Sequence, residues 1–356
     1  MAWVDIPAMR RTTCWCACHH GVTHSLSNEN VFSQDNNVSI REVAEQAGVS
    51  MATVSRVFNR PDTVNAVTRA HVLQMAQTLA YLPNASARSL RTSVTDTIAL
   101  HIPEFLTSAE YYMSFVFGVA EQAARAGLNV TLVSSGRLPQ VDGLILCDPM
   151  PDNPVVDQLM SAGLPVVTAE RYGGAAQPTG VIWSDHETSL RELLDHLRAR
   201  GARRPALIAS DSTADWALTL QRTYARWCAE RGVQRLLHKA PFGSSPEVLR
   251  GVVGELLAEA PETDAIVCAA DGAAAAVLPQ IRSAGRVVGE DLLLASCVDS
   301  AAMRTAEPPI TAIDLRPRHM GVECVRLLCE ILAGEAPGGT ARTLAIDMIV
   351  RASTDS

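Results

Sequence analysis

Lysine is nearly missing from this chain: Lys239 is the only one, and the other basic residues are arginine. That bias fits a GC-rich genome, where spurious upstream reading frames are common. No apolar run is long enough to span a bilayer, so no transmembrane segment is expected. Residues 1–37 lack the charged-then-apolar layout of an export signal. There is no nucleophile elbow, no phosphate loop of the G-x-x-x-x-G-K-[ST] form and no motif of paired catalytic acids. An enzyme is therefore not expected, and neither is a cofactor. A disulfide framework is also missing. Cys147, Cys228, Cys268, Cys297, Cys324 and Cys329 are scattered through apolar segments, as reduced buried thiols of a cytoplasmic protein would be.

The first 37 residues show neither helical nor strand period. They contain Cys14, Cys16, Cys18, His19 and His20, but not the C-x₂-C spacing of common zinc modules, so no metal site is expected there. This stretch reads as a disordered or untranslated extension, with a natural start expected near Val31 or Val38.

What is present begins at Val38. In VSIREVAEQAGVSMATVSRVFN, Ile40, Val43, Ala44 and Ala47 fall at helical spacing. Ser39 stands before them with Glu42 three residues on, the pattern of a capping box. Gly48 permits a tight turn, and Ser50 can cap a second helix whose apolar stripe is Val54, Val57 and Phe58. The opposite face is small, polar and cationic, which reads as a helix-turn-helix. Asn65 can cap a third helix running to Leu79. The charge balance agrees. The chain carries −8, yet Val38 to Thr92 holds six arginines against three acids, a net +3, leaving −11 on the remainder. A basic module on an acidic body suits DNA contact confined to one end.

The order helix-turn-helix, VSRVFN, third helix, then YLPNASARSLR (Tyr81 to Arg91) closely resembles the DNA-binding headpiece of the lactose-repressor (LacI/GalR) family. The resemblance implies roles residue by residue. Met51 and Ala52 stand at positions that read base edges, where two apolar side chains suit a thymine methyl. Arg56 is the candidate for a guanine contact. Thr53, Ser55 and Asn59 match phosphate or mixed contacts. Asn84, Ala87 and Leu90 fall in the hinge, and Leu90 matches a leucine wedged into the minor groove. The implied partner is a near-palindromic double-stranded operator bound by a homodimer in the cytoplasm, at the nucleoid.

From Thr97 the pattern alternates apolar strands with amphipathic helices, as in parallel sheets covered on both faces. VDGLIL, LPVV, VVGEDLLL, PPITAI and MGVECVRLL resemble the periplasmic-binding-protein-like core of the same family. The expected fold is thus an all-α headpiece (residues 38–83), a hinge and linker (84–95) and an α/β core of two lobes (96–354). The first lobe is expected to span about 96–200 plus 314–338, the second about 201–313 plus 340–353. Between Ser135 and Val141 lies only GRLPQ, too short for the usual crossover helix, so that helix is expected to be missing.

The effector cleft departs from the family pattern. Where sugar-binding members carry an arginine, an asparagine and an aspartate, this chain has Leu220, Ala270 and Val298. The remaining candidates are Tyr111, Tyr112, Glu170, Arg171, Asp185, Trp216, Arg222, Asp271 and Asp299. Asp271 and Asp299 read equally well as turn residues at strand ends. The expected effector is a small molecule other than a typical hexose. The alternative is an effector-independent repressor with a degraded pocket, for which a cleft filled by side chains would speak.

Overall fold

The computed structural model describes residues 38–81, 94–103 and 109–355, the side chain of Asn59 excepted. The chain divides into two compact units, up to Asn84 and from Ala85 onward.

The first unit holds three helices, α1 (Ile40–Gln46), α2 (Met51–Asn59) and α3 (Ala66–Thr78), with a 3₁₀ turn at Pro61–Thr63. Each helix starts where its sequence supplies a cap. Ser39 and Glu42 form the reciprocal box, with the Ser39 N–H donating to Glu42 Oε2 at 2.6 Å and the Glu42 N–H to Ser39 Oγ at 3.3 Å. Ser50 Oγ accepts from the Thr53 N–H at 3.1 Å, and Asn65 Oδ1 from the Val67 N–H at 2.9 Å. Gly48, at φ +62°, makes the turn between α1 and α2. Val43, Ala44, Ala47, Val54, Val57, Val72 and Ala76 form a small separate core, edged by Phe58 and Tyr81.

The second unit is a pair of six-stranded sheets. In chain order its elements are β1 (Thr97–His101), α4 (Glu110–Arg125), β2 (Asn129–Leu132), β3 (Gly143–Cys147), α5 (Pro154–Met160), β4 (Val166–Ala169), β5 (Gly180–Ser184) and α6 (His186–Ala199). Then come β6 (Pro205–Ser210), α7 (Asp215–Arg231), β7 (Leu236–Ala240), α8 (Pro246–Glu259), β8 (Ala265–Cys268), α9 (Ala273–Ser283), β9 (Leu293–Ser296) and α10 (Ala301–Thr305). The last are β10 (Thr311–Asp314), α11 (Pro317–Leu332), β11 (Thr340–Leu344) and β12 (Asp347–Ile349). The first sheet runs β11-β5-β4-β3-β1-β2, all parallel; the second runs β12-β10-β9-β8-β6-β7, parallel except for β12. The central strands β3, β4, β6, β8 and β9 are buried along their whole length, as parallel strands covered on both faces must be.

One boundary differs from the sequence reading. Residues 340–344 were expected in the second lobe, but β11 pairs with β5 of the first, Thr340 opposite Gly180 through Leu344 opposite Ser184. Sequential position misled here, because the chain crosses between lobes after β10 and again after β11. The short link is as expected: no helix lies between β2 and β3. Val133, Leu138 and Val141 cover that face in its place, packed with Val156, Leu159 and Met160 of α5. Helices α4 and α11 approach so closely that a Cβ on Gly118 would sit 2.0 Å from the Arg318 carbonyl oxygen, and one on Gly321 would sit 2.4 Å from that of Phe115.

Candidate functional site

Two surfaces carry chemistry. The first is the outer face of α2. Met51 is 53% exposed, an unusual position for a large apolar side chain, and Ala52 and Arg56 are exposed beside it. Arg56 Nε donates to the Ala52 carbonyl at 3.3 Å, which holds the guanidinium along the helix near its start. Thr53 and Ser55 are half-buried, and the Thr53 hydroxyl shares a 2.9 Å hydrogen bond with Ser50. The described side chains of α2 thus offer one cation, two apolar groups and no acid. The backbone of Asn59 ends the helix, but its side chain lies outside the described residues, as do Asn84, Ala87 and Leu90.

The second is a cavity of about 100 Å³ between the lobes. Its wall is built from the carboxyl ends of strands and the amino ends of helices, where ligands of doubly wound sheets sit. Asp148 follows β3, Glu170 follows β4 and Asp271 lies shortly after β8; Tyr111 and Tyr112 open α4, His186 opens α6, Trp216 opens α7, and Phe242 follows β7. Asp148 and Glu170 hold φ values of 45° and 75°, left-handed conformations that cost a non-glycine residue energy and cluster at functional sites. The Tyr112 hydroxyl donates to Asp148 Oδ2 at 2.5 Å. His186 Nε2 lies 3.1 Å from Glu170 Oε2, with both side chains largely buried on the cavity wall. Burial, reinforced by the Glu170 charge, pushes the Asp148 carboxyl up to about 7. Burial opposes charging of His186, but Glu170 outweighs it and holds the imidazole above its usual range. Burial likewise raises Asp271, whose Oδ2 accepts the Tyr111 N–H at 3.3 Å across the two lobes.

Five of the nine expected effector residues line this cavity: Tyr111, Tyr112, Glu170, Trp216 and Asp271. The other four do not. Arg171 stacks on Trp183, its guanidinium carbon 3.4 Å from the ring centre. Asp185 caps α6, accepting the Thr188 N–H at 3.1 Å and hydroxyl at 2.8 Å. Arg222 is exposed, 3.6 Å from Asp215. Asp299 is held by Arg351 at 2.7 Å and Arg304 at 3.1 Å. Each is consumed by a local structural partner. Asp148, His186 and Phe242 were not foreseen. For Asp148 a signal existed: it is the first polar residue after the apolar strand GLILC. Leu220, Ala270 and Val298 do stand on the cavity wall, so the apolar replacements face the cavity. The cleft holds a cavity and is not filled by side chains, so the filling that would have spoken for an effector-independent repressor is not seen.

The lobes also meet outside the cavity. Glu110 accepts the Ala301 N–H at 2.5 Å and pairs with Arg304 at 2.9 Å, while the Thr213 hydroxyl donates to Asp152 at 2.8 Å. Helices α6 and α7 are linked by Arg191–Glu230 at 2.5 Å and by Trp227 Nε1 donating to Asp195 at 2.8 Å. No helix among the described residues is long and apolar enough to cross a membrane.

Comparison with known proteins bears on both surfaces. Residues 39–84 match the model of bacterial regulatory proteins of the lacI family, and residues 194–354 match a periplasmic binding protein-like domain. The HTH-type transcriptional regulator CelR of Thermobifida fusca is 31% identical over 340 residues, covering 88% of this chain and 98% of the relative. The HTH-type transcriptional repressor PurR of Pasteurella multocida is 26% identical, covering 89% and 99%. Among solved structures, a CelR–cellobiose complex superposes with a TM-score of 0.66 at 28% identity over 89% of this chain and 99% of that one. A lac repressor dimer bound to operator and an anti-inducer superposes with a TM-score of 0.78 at 24% identity over 90% and 100%, a likeness of fold.

Proposed function

The chain belongs to the lacI family of bacterial regulatory proteins and is a DNA-binding transcriptional regulator; from that premise we propose that it represses in the cytoplasm as a homodimer on a near-palindromic operator, released or retained by a small molecule between its lobes. Helix α2 enters the major groove, with Arg56 on a guanine and Met51 and Ala52 against thymine methyls, while Thr53, Ser55 and Asn59 hold phosphates. Asn84, Ala87 and Leu90 form the hinge that parts a base step in the minor groove. Dimerisation is supported by exposed apolar side chains of the first lobe: Met113 and Phe117 one turn apart on α4, and Leu132 on the edge strand β2.

The single observation that carries the effector reading is the open interlobe cavity, walled by aromatic rings and buried carboxylates. With Leu220, Ala270 and Val298 in the wall, this space lacks the arginine fork and amide expected for a typical hexose. The cellobiose named for the CelR complex supports a carbohydrate-class ligand held differently. The test is selection from random duplexes by a chain starting at Val31 and by its Leu90→Ala variant. Enrichment of a palindrome with a central pyrimidine–purine step, relaxed in the variant, is the expected result. Failure to enrich any sequence at low salt overturns the operator reading.

A further inference from the structure

Asp148, Glu170 and Asp271 share one cavity, and among the described residues lining it there is no lysine or arginine. Asp148 and Glu170 are more than nine-tenths buried. A buried carboxylate needs a countercharge or a full set of donors. Glu170 has His186 and the Ser184 N–H. Asp148 has one hydrogen-bonded side chain, the Tyr112 hydroxyl, and no basic side chain in ion-pair contact. A carboxylate presents about four lone-pair positions, so acceptor capacity is left over toward the cavity. A second observation points to a ligand independently. Trp216 is 8% exposed and lines the cavity, yet its indole Nε1 is buried without a partner. A buried N–H in that position calls for an acceptor brought by the occupant. Beside it, the Trp216 and Phe242 rings, 5.6 Å apart, form an apolar wall.

We propose that the effector is an amino sugar: its ammonium sits among Asp148, Asp271 and Glu170, a hydroxyl oxygen accepts from Trp216 Nε1, and its apolar face packs on the aromatic wall. Three carboxyl groups gathered on one cavity without an arginine or lysine, beside an indole N–H that has no partner, fit a ligand with one cation and flanking hydroxyls. A neutral hexose gives these carboxylates only uncharged donors, a weaker match than a charge-assisted bond. The inference rests on the reading that the cleft holds an effector.

Calorimetric titration of the full chain with five sugars tests it: glucosamine, glucose, N-acetylglucosamine, cellobiose and the β-1,4 disaccharide of glucosamine. Each amine is expected to bind at least about tenfold tighter than its neutral counterpart, with N-acetylglucosamine behaving as neutral. Asp148→Asn is expected to shrink that ratio to within about threefold. Trp216→Phe, which keeps a ring and loses the donor, is expected to weaken amine and neutral sugars alike. Should Asp148→Asn fail to fold, the ratio measured on the unmodified protein still decides. Neutral sugars binding as tightly as the amines overturn the amino-sugar proposal and leave the effector reading standing. No binding by any of the five to a folded protein overturns the amino-sugar proposal and the carbohydrate-class reading of the cleft together.

Discussion

The outer face of α2 and the interlobe cavity are opposites built by one chain. On α2 the charge is a cation, it is exposed, and neighbours in sequence supply the whole surface. In the cavity the charges are carboxylates, they are buried, and residues from Tyr111 to Val298 are gathered by strand ends. An exposed cation stays in water until a polyanion arrives, so it costs the fold little. A buried carboxylate must be held by surrounding structure whether or not a ligand is there. The first kind of site survives as a local motif. The second exists only when two sheets are complete.

Changes to the packing of the core should therefore have larger effects than changes to the headpiece surface. Gly118→Val forces a side chain into the Arg318 backbone of α11, and should cost about 3 kcal/mol or more in urea unfolding of the core. The amide spectrum of residues 38–81 should stay folded; loss of both together would erase the contrast. Next is the buried charge. The Asp148 carboxyl titrates near 7 when folded, above its unfolded value, so the folded state holds a proton that the unfolded chain has already released. Its contribution is present at low pH and is lost as pH rises through about 7. His186, also raised, acts in the same direction. Asp148→Asn should flatten the fall in melting temperature between about pH 4 and 7, recovering about 2–4 kcal/mol at the upper end. An unchanged slope would remove Asp148 as its source.

On the headpiece, Arg56→Ala should cost about 1–3 kcal/mol of operator binding, measured by fluorescence anisotropy, with core melting unchanged. Smallest is the exposed Arg41–Glu45 pair, at 2.9 Å on adjacent turns of α1. Arg41→Ala should shift headpiece stability by no more than about 0.5 kcal/mol. A larger loss would mean that this surface is less independent than its exposure suggests.

Legibility from sequence follows the same division. The three headpiece helices were readable because Ser39, Ser50 and Asn65 each cap a helix within three residues of themselves. The absence of a helix after β2 was readable from chain length alone. The cavity was readable in part. Tyr111, Tyr112, Glu170, Trp216 and Asp271 were placed through likeness to a family. Arg171, Asp185, Arg222 and Asp299 misled because a polar residue near a strand end has competing uses: stacking, capping, surface pairing or a buried ion pair. No spacing in the sequence distinguishes these from a ligand contact. His186 and Phe242 lack any local signal, since their place depends on long-range pairing. The exchange of β11 into the first lobe escaped for the same reason.

Both sheets finish on strands that come late in the chain: β11 forms the outer edge of one and β12 of the other. The order of synthesis therefore matters. A ribosome releases a complete headpiece, able to fold at once, while both lobes still wait for their last edge. A polypeptide cut short before Thr340 would keep the part that touches DNA and lack an edge strand in each sheet. The stretch from Thr340 onward thus acts as a completeness check: only a chain translated through β12 has both of its sheets whole.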